Sequence, residues 1–124
     1  MAYTIRQEKT ILITILKSKI HHAVVTHTDL QYEGSIVIDL ELMEAANLTP
    51  YEKVLVVSNT SGARYETYVI PGKWGDGYIK LNGASTRLVK KGEQLIIMSF
   101  QVVYEPIKPT VVIVDKENKI KEVK

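Results

Sequence analysis

Two runs, Lys53-Val54-Leu55-Val56-Val57-Ser58-Asn59 and Ala63-Arg64-Tyr65-Glu66-Thr67-Tyr68-Val69-Ile70, are rich in β-branched and aromatic residues and flank the turn formers Ser61-Gly62. Short runs of this composition, closed by turn residues, read as strands. The same pattern extends in both directions. Upstream lie Ile11–Lys17, His22–Thr28 and Ile36–Ile38; downstream lie Tyr78–Leu81, Gln94–Tyr104 and Thr110–Val114. Gly75-Asp76-Gly77, Asn82-Gly83 and Lys91-Gly92 punctuate the series. That spacing predicts a small closed β structure rather than βαβ units. One helix interrupts it. Asp39 is placed to cap its start, Leu40, Met43 and Ala46 recur at helical spacing, and Asn47 and Pro50 end it. A second short turn is expected around Ser85 to Lys90. The tail, DKENKIKEVK, reads as a surface hairpin or a frayed end.

The chain has 124 residues, enough for one domain with one core. Hydrophobic residues make up 45% and charged residues 24%, a globular rather than a disordered balance. A net charge of +2 is too small to argue for a nucleic-acid partner, although the pI of about 8.7 does not exclude one. Cysteine is absent, which removes disulfides, thiolate nucleophiles and Cys-ligated metals together. The apolar stretch Ile11–Leu16 falls far short of the ~20 residues a membrane helix needs. The start, MAYTIRQEKT, lacks the apolar centre of a secretory signal, so a cytoplasmic location is expected.

Common catalytic signatures are missing. There is no Walker A loop, no GxGxxG after a strand and no GxSxG. Gly72, Gly75 and Gly77 match no phosphate loop and read as turn residues. His21, His22 and His27 lack the spacing of a metal-binding helix, so no metal is expected. Gly34-Ser35, taken alone, is an ordinary turn dipeptide.

Four motifs in order change that reading: Lys19-Ile20-His21-His22, Tyr32-Glu33-Gly34-Ser35, Arg64-Tyr65-Glu66-Thr67-Tyr68 and Asn82-Gly83-Ala84. With Arg87–Glu93 and Pro109–Asp115 they make the chain, from about Ile11 to the tail, resemble the bacterial aspartate 1-decarboxylases. That family is pyruvoyl-dependent and makes β-alanine for pantothenate synthesis. The resemblance implies a double-psi β-barrel, a homotetramer with sites between subunits, and L-aspartate as substrate. It implies no pyridoxal phosphate and leaves open an accessory maturation factor. Met1–Thr10 precede the matching stretch and read as an added strand or arm.

The resemblance implies that a single domain, residues 1–124, cleaves itself into 1–34 and 35–124. The Ser35 hydroxyl attacks the Gly34 carbonyl through a five-membered ring, turning the peptide into an ester. Elimination leaves dehydroalanine, which hydrolyses to a covalently bound pyruvoyl group and ammonia. That group is an electron sink for the carbanion left by CO2. Gly34, without a Cβ, tolerates a strained backbone at the attack. Thr67 is the candidate donor to the cleaving carbonyl. Asn82, Gly83 and Ala84 form a polar turn that holds substrate or intermediate. Arg64 can fork onto one carboxylate, Lys19 is the second cation, and His21 lines the same site. Tyr68 is the expected proton donor to the α-carbon. Tyr32 helps to position the turn before the cleavage point.

One difficulty stands. Alternation along a strand sends Arg64, Glu66 and Tyr68 to one face and Thr67 to the other. Where relatives often carry alanines, this chain has Ser85 and Thr86, extra hydroxyls near the expected pocket. Two other readings stay open: a paralogous pyruvoyl decarboxylase of another amino acid, and a non-catalytic β-barrel binding module.

Overall fold

A computed structural model describes residues 11–124, so the arm read at Met1–Thr10 lies outside the described residues. The strands are β1 (Ile13–Val24), β2 (His27–Asp29), β3 (Ser35–Asp39), β4 (Lys53–Ser58), β5 (Arg64–Gly72), β6 (Ile79–Asn82), β7 (Gln94–Val103), β8 (Thr110–Val114) and β9 (Ile120–Val123). They form one nine-stranded sheet in the order β2-β6-β3-β5-β4-β7-β1-β8-β9. The mainly β expectation holds. Helix α1 (Leu40–Ala45) lies where Asp39 and Pro50 place it, and the second turn is a 3-10 helix over Gly83–Arg87. No helix among the described residues is long and apolar enough to cross a membrane.

Two expected strands, Ile11–Lys17 and His22–Thr28, are largely one. The run Lys17-Ser18-Lys19 and the pair His21-His22 look like a polar break, but β1 passes through them with two bulges. The register against β7 shifts between Leu16 and Ser18 and again between His21 and Ala23. Each bulge adds one residue and flips the side chains that follow. Ser18 and Ile20 are buried before the second bulge, and Ala23 and Val25 after it. His22, the inserted residue, takes the left-handed conformation at φ 72°.

The core follows the two-residue period of the strands. Ile36 and Ile38 of β3, Val54 and Val56 of β4, Ile79 and Leu81 of β6, and Leu95 and Ile97 of β7 are all buried. Leu42, Met43 and Ala46 close it from the helix. Each of these Val, Ile, Leu and Met side chains contributes roughly 1.5–3 kcal/mol on burial.

Two buried polar residues fix the loop that leads into β6. Asp39 caps α1 by accepting from Glu41 N (2.9 Å) and also accepts from Gly75 N (2.8 Å) and Gly77 N (2.7 Å). Asn118, in the turn of the β8–β9 hairpin, accepts from Val24 N (2.7 Å) and donates to Val24 O and Gly77 O (both 2.8 Å). A Cβ at Gly77 would sit 2.3 Å from Glu117 O, so only glycine permits this approach. The tail is therefore a hairpin, and it is anchored on the body rather than merely lying on the surface.

Lys17 ties β1 to the turn before β4, with Nζ 2.8 and 2.9 Å from the two Glu52 oxygens. Thr49 N donates to the same carboxylate at 2.9 Å. Burial raises the Glu52 pKa, but the Lys17 and Thr49 hydrogen bonds outweigh it and hold the carboxyl below its ordinary value. This stabilisation is complete above the ordinary glutamate pKa and is lost as pH falls through the lowered one. Glu52→Gln is expected to cost about 1–3 kcal/mol at neutral pH. Denaturant melts across the pH range should show its gap to the parent protein closing in acid.

Candidate active site

Ser35 is the first residue of β3 and lies opposite Asn82 of β6. It is 3% exposed, and its Oγ accepts a 3.0 Å hydrogen bond from Asn82 Nδ2. Asn82 is itself buried, and its Oδ1 has no hydrogen-bond partner among the described residues. An unpaired buried acceptor is costly, and it points to a site built for a further donor.

The turn after Asn82 presses against the residue before Ser35. Gly83 has φ +78°, and a Cβ there would lie 2.8 Å from Gly34 Cα and 3.1 Å from Gly34 N. Gly34 itself lies outside the left-handed region and has open space where a Cβ would go. The strain expected at Gly34 belongs to the attack itself; in the uncut chain its backbone is relaxed. The position that demands glycine is Gly83.

The Gly34–Ser35 bond is flanked by two cavities. One, of about 450 Å³, is lined by Ser35, Asn82, Tyr68, Tyr51, Tyr78 and Lys80, among others. The second, of about 270 Å³, is lined by Gly34, Asn82, Thr67, Tyr65, Ala84 and Ser85, among others. Asn82 lines both. This arrangement resolves the difficulty with Thr67. Alternation on β5 does send Thr67 and Tyr68 to opposite sides, but each side is a wall of a cavity against the same peptide bond.

Chemistry differs between the two sides. Burial pushes the Tyr65 phenol up to about 12, with the nearby Ser85 hydroxyl offsetting part of the rise. Tyr65 therefore stays an O–H donor at neutral pH, and although Ser85 is near, its hydroxyl makes no well-formed hydrogen bond among the described residues. On the other side, the ring of Tyr51 lies 6.4 Å from that of Tyr68. Tyr51 has φ 70°, an unusual conformation for a bulky residue, held by its N–H donating to Val69 O at 2.7 Å.

The hydroxyls of Ser85 and Thr86 turn back onto the 3-10 helix. Thr86 Oγ1 donates to Gly83 O at 2.8 Å, and Ser85 Oγ lies 3.4 Å from Asn82 O. Neither residue lines the Tyr68 cavity.

Within one chain, three expected site residues stand apart. Arg64 is exposed at the start of β5, opposite Val57, whereas Tyr68 lies opposite Lys53. Four residues of strand separate them, roughly 13 Å. Lys19 and His21 lie on β1, opposite Met98 and Ile96, and β7, β4 and β5 intervene before β3. The His21 ring lies tilted against that of His22, with 3.6 Å between centroids, and its Nδ1 is buried without a partner among the described residues. Burial, then the neighbouring His22, Lys19 and Lys124, lower its pKa and favour the neutral ring.

Sequence reasoning missed Lys80, Tyr51, Tyr65 and Tyr78 as cavity walls. Lys80 was within reach: it stands two residues from Asn82 on β6, and so on the same face. Tyr51 gave no such signal, because the backbone conformation that turns it toward Tyr68 leaves no mark in Thr49-Pro50-Tyr51.

Comparison with known proteins agrees with the geometry. A family model described as aspartate decarboxylase matches residues 11–121. Aspartate 1-decarboxylase of Pelotomaculum thermopropionicum is 54% identical over 116 residues, covering 90% of this chain and 88% of its own. The enzyme of the same name from Syntrophus aciditrophicus is 56% identical over 111 residues, covering 86% of this chain and 96% of its own. That of Neisseria meningitidis is 50% identical over 114 residues, covering 89% and 90%. With a buried serine hydroxyl at the position the motifs mark, beside a peptide bond flanked by two cavities, and with these matches running nearly end to end, the chain belongs to the aspartate decarboxylase family.

Proposed function

We propose that this protein cleaves itself between Gly34 and Ser35, converts Ser35 to a pyruvoyl group, and then decarboxylates L-aspartate to β-alanine and CO2 for pantothenate synthesis. The observation that carries the reading is the placement of Ser35. Its hydroxyl is buried and held by Asn82, with Thr67 on the Gly34 side and Tyr68 on its own. The cavity beside it falls within the ~300–1,000 Å³ range of small-molecule sites.

In processing, the Asn82 hydrogen bond fixes Ser35 Oγ for attack on the adjoining carbonyl carbon. Negative charge then develops on the Gly34 oxygen, and Thr67, with the protonated Tyr65 beside it, supplies donors on that side. Gly83 allows the 82–84 turn to close against Gly34. Gly83→Ala combines a left-handed backbone with a Cβ driven into Gly34, and it is expected to slow cleavage at least tenfold. The fraction of intact chain over time, followed by mass spectrometry, checks this. After cleavage the pieces stay joined, because β1 of residues 1–34 pairs with β7 and β8 of residues 35–124.

In turnover, the pyruvoyl group supplies the electron sink that amine decarboxylation requires. Tyr68 delivers the proton to the α-carbon from its phenolic O–H. Asn82 offers its unpaired Oδ1 as an acceptor beside the reacting position. Arg64, Lys19 and His21 complete the site from a neighbouring subunit of a homotetramer with double-psi barrel subunits. An apolar stripe supports such assembly: Ile11, Leu12, Phe100, Val102 and Tyr104 are each between 47% and 60% exposed at one end of the β1–β7 pair. The cytoplasm is the compartment this role implies.

Purified protein given L-aspartate should yield β-alanine and CO2 in equal amounts. Release of CO2 from another amino acid, with no β-alanine from aspartate, would move the reading to a paralogous decarboxylase. An uncleaved chain with strongly salt-dependent nucleic-acid binding would move it to a binding module.

A further inference from the structure

We propose that Lys80 is a specificity-determining cation of the Ser35 cavity, binding the carboxylate that the substrate keeps after CO2 is lost. This rests on the decarboxylase reading above and adds to it a residue outside the four motifs. Ser35 and Val37 of β3 face Asn82 and Lys80 of β6 in antiparallel register. Residues two apart on each strand share a face, so all four point the same way, and Lys80 is the diagonal neighbour of Ser35 at roughly 7–8 Å. Tyr68 and Lys80 line the same cavity as Ser35, and among the described residues that line it Lys80 is the one cation.

Its charge is only loosely matched. The side chain is 21% exposed, yet Nζ approaches Asp29 no closer than 3.8 Å. Otherwise it lies 5.0 Å over the ring of Tyr32. Glu33, on the same wall, forms no ion pair with it among the described residues. A sheltered ammonium with one long ion pair and an aromatic face keeps hydrogen-bonding capacity for an anion.

Which carboxylate it takes follows from the reaction. The α-carboxylate leaves as neutral CO2, and a cation clamped on it would stabilise the ground state against that loss. The side-chain carboxylate keeps its charge throughout. Holding it binds ground and transition states alike, which lowers KM and leaves kcat nearly unchanged.

The test compares Lys80→Gln and Lys80→Arg with the parent enzyme. Lys80→Gln should be cleaved normally by intact mass, with KM for aspartate raised about 10- to 100-fold and kcat within about threefold. Lys80→Arg should recover most of the loss. A second arm needs no turnover: succinate, with two carboxylates and no amine, should bind the unprocessed Ser35→Ala protein in calorimetry and bind Ser35→Ala/Lys80→Gln at least tenfold more weakly. If Lys80→Gln does not fold, Lys80→Met keeps the aliphatic stem against Tyr32 and carries the same comparisons. An unchanged KM, a fall in kcat alone, or equal succinate binding would overturn the assignment. A parent enzyme that makes no β-alanine would instead defeat the decarboxylase reading.

Discussion

Ser35→Ala is expected to remain one uncut chain and to release no CO2 from aspartate. The substitution removes a single oxygen, and with it the only nucleophile the proposed cleavage uses. The fold should survive. Ser35 sits at the edge of β3 rather than in the apolar core, and Ile36 and Ile38 keep their burial. The main loss is that Asn82 Nδ2 forfeits its acceptor, a penalty of about 1–3 kcal/mol. Spectroscopy should therefore report a native, somewhat less stable protein whose mass equals that of the full chain. Decarboxylation by this variant would exclude Ser35 as the source of the electrophile.

Tyr68→Phe separates turnover from processing. The ring stays packed beside Tyr51 at nearly the same volume, and only the phenolic O–H is lost. Tyr68 lies on the opposite side of β5 from Thr67 and the Gly34 cavity, so cleavage should proceed as in the parent. Once cleaved, the variant lacks its proton donor, and kcat should fall about 10²- to 10⁴-fold with little change in KM. An unaltered kcat in fully processed Tyr68→Phe would remove Tyr68 from that role.

Much of this was legible in the sequence, for identifiable reasons. The strands of β4 and β5 announce themselves by β-branched runs on either side of Ser61-Gly62, and α1 by a capping Asp39 and a stop at Pro50. Ser35, Asn82, Thr67 and Tyr68 come from motifs whose order matches one family, and the structure brings all four together around one peptide bond. What stayed hidden depends on events that composition does not encode. The bulges at Lys17 and His22 disguise one strand as two, because a polar inserted residue looks like a loop. Three parallel pairings, β1 with β8, β2 with β6 and β3 with β5, join segments far apart in the chain and leave no local signature. The packing of Gly83 against Gly34 was also hidden, since only the fold shows which glycine lacks room for a side chain. Arg64, Lys19 and His21 were grouped with Ser35 by family pattern, and a single chain keeps them away from it.

Intact-mass analysis of the purified protein decides whether Ser35 becomes the electrophile. Two fragments are expected, residues 1–34 and 35–124, with the larger lighter by one ammonia than simple hydrolysis would leave. A full-length chain that nonetheless converts aspartate to β-alanine, or a larger fragment that still begins with an ordinary serine, would contradict it.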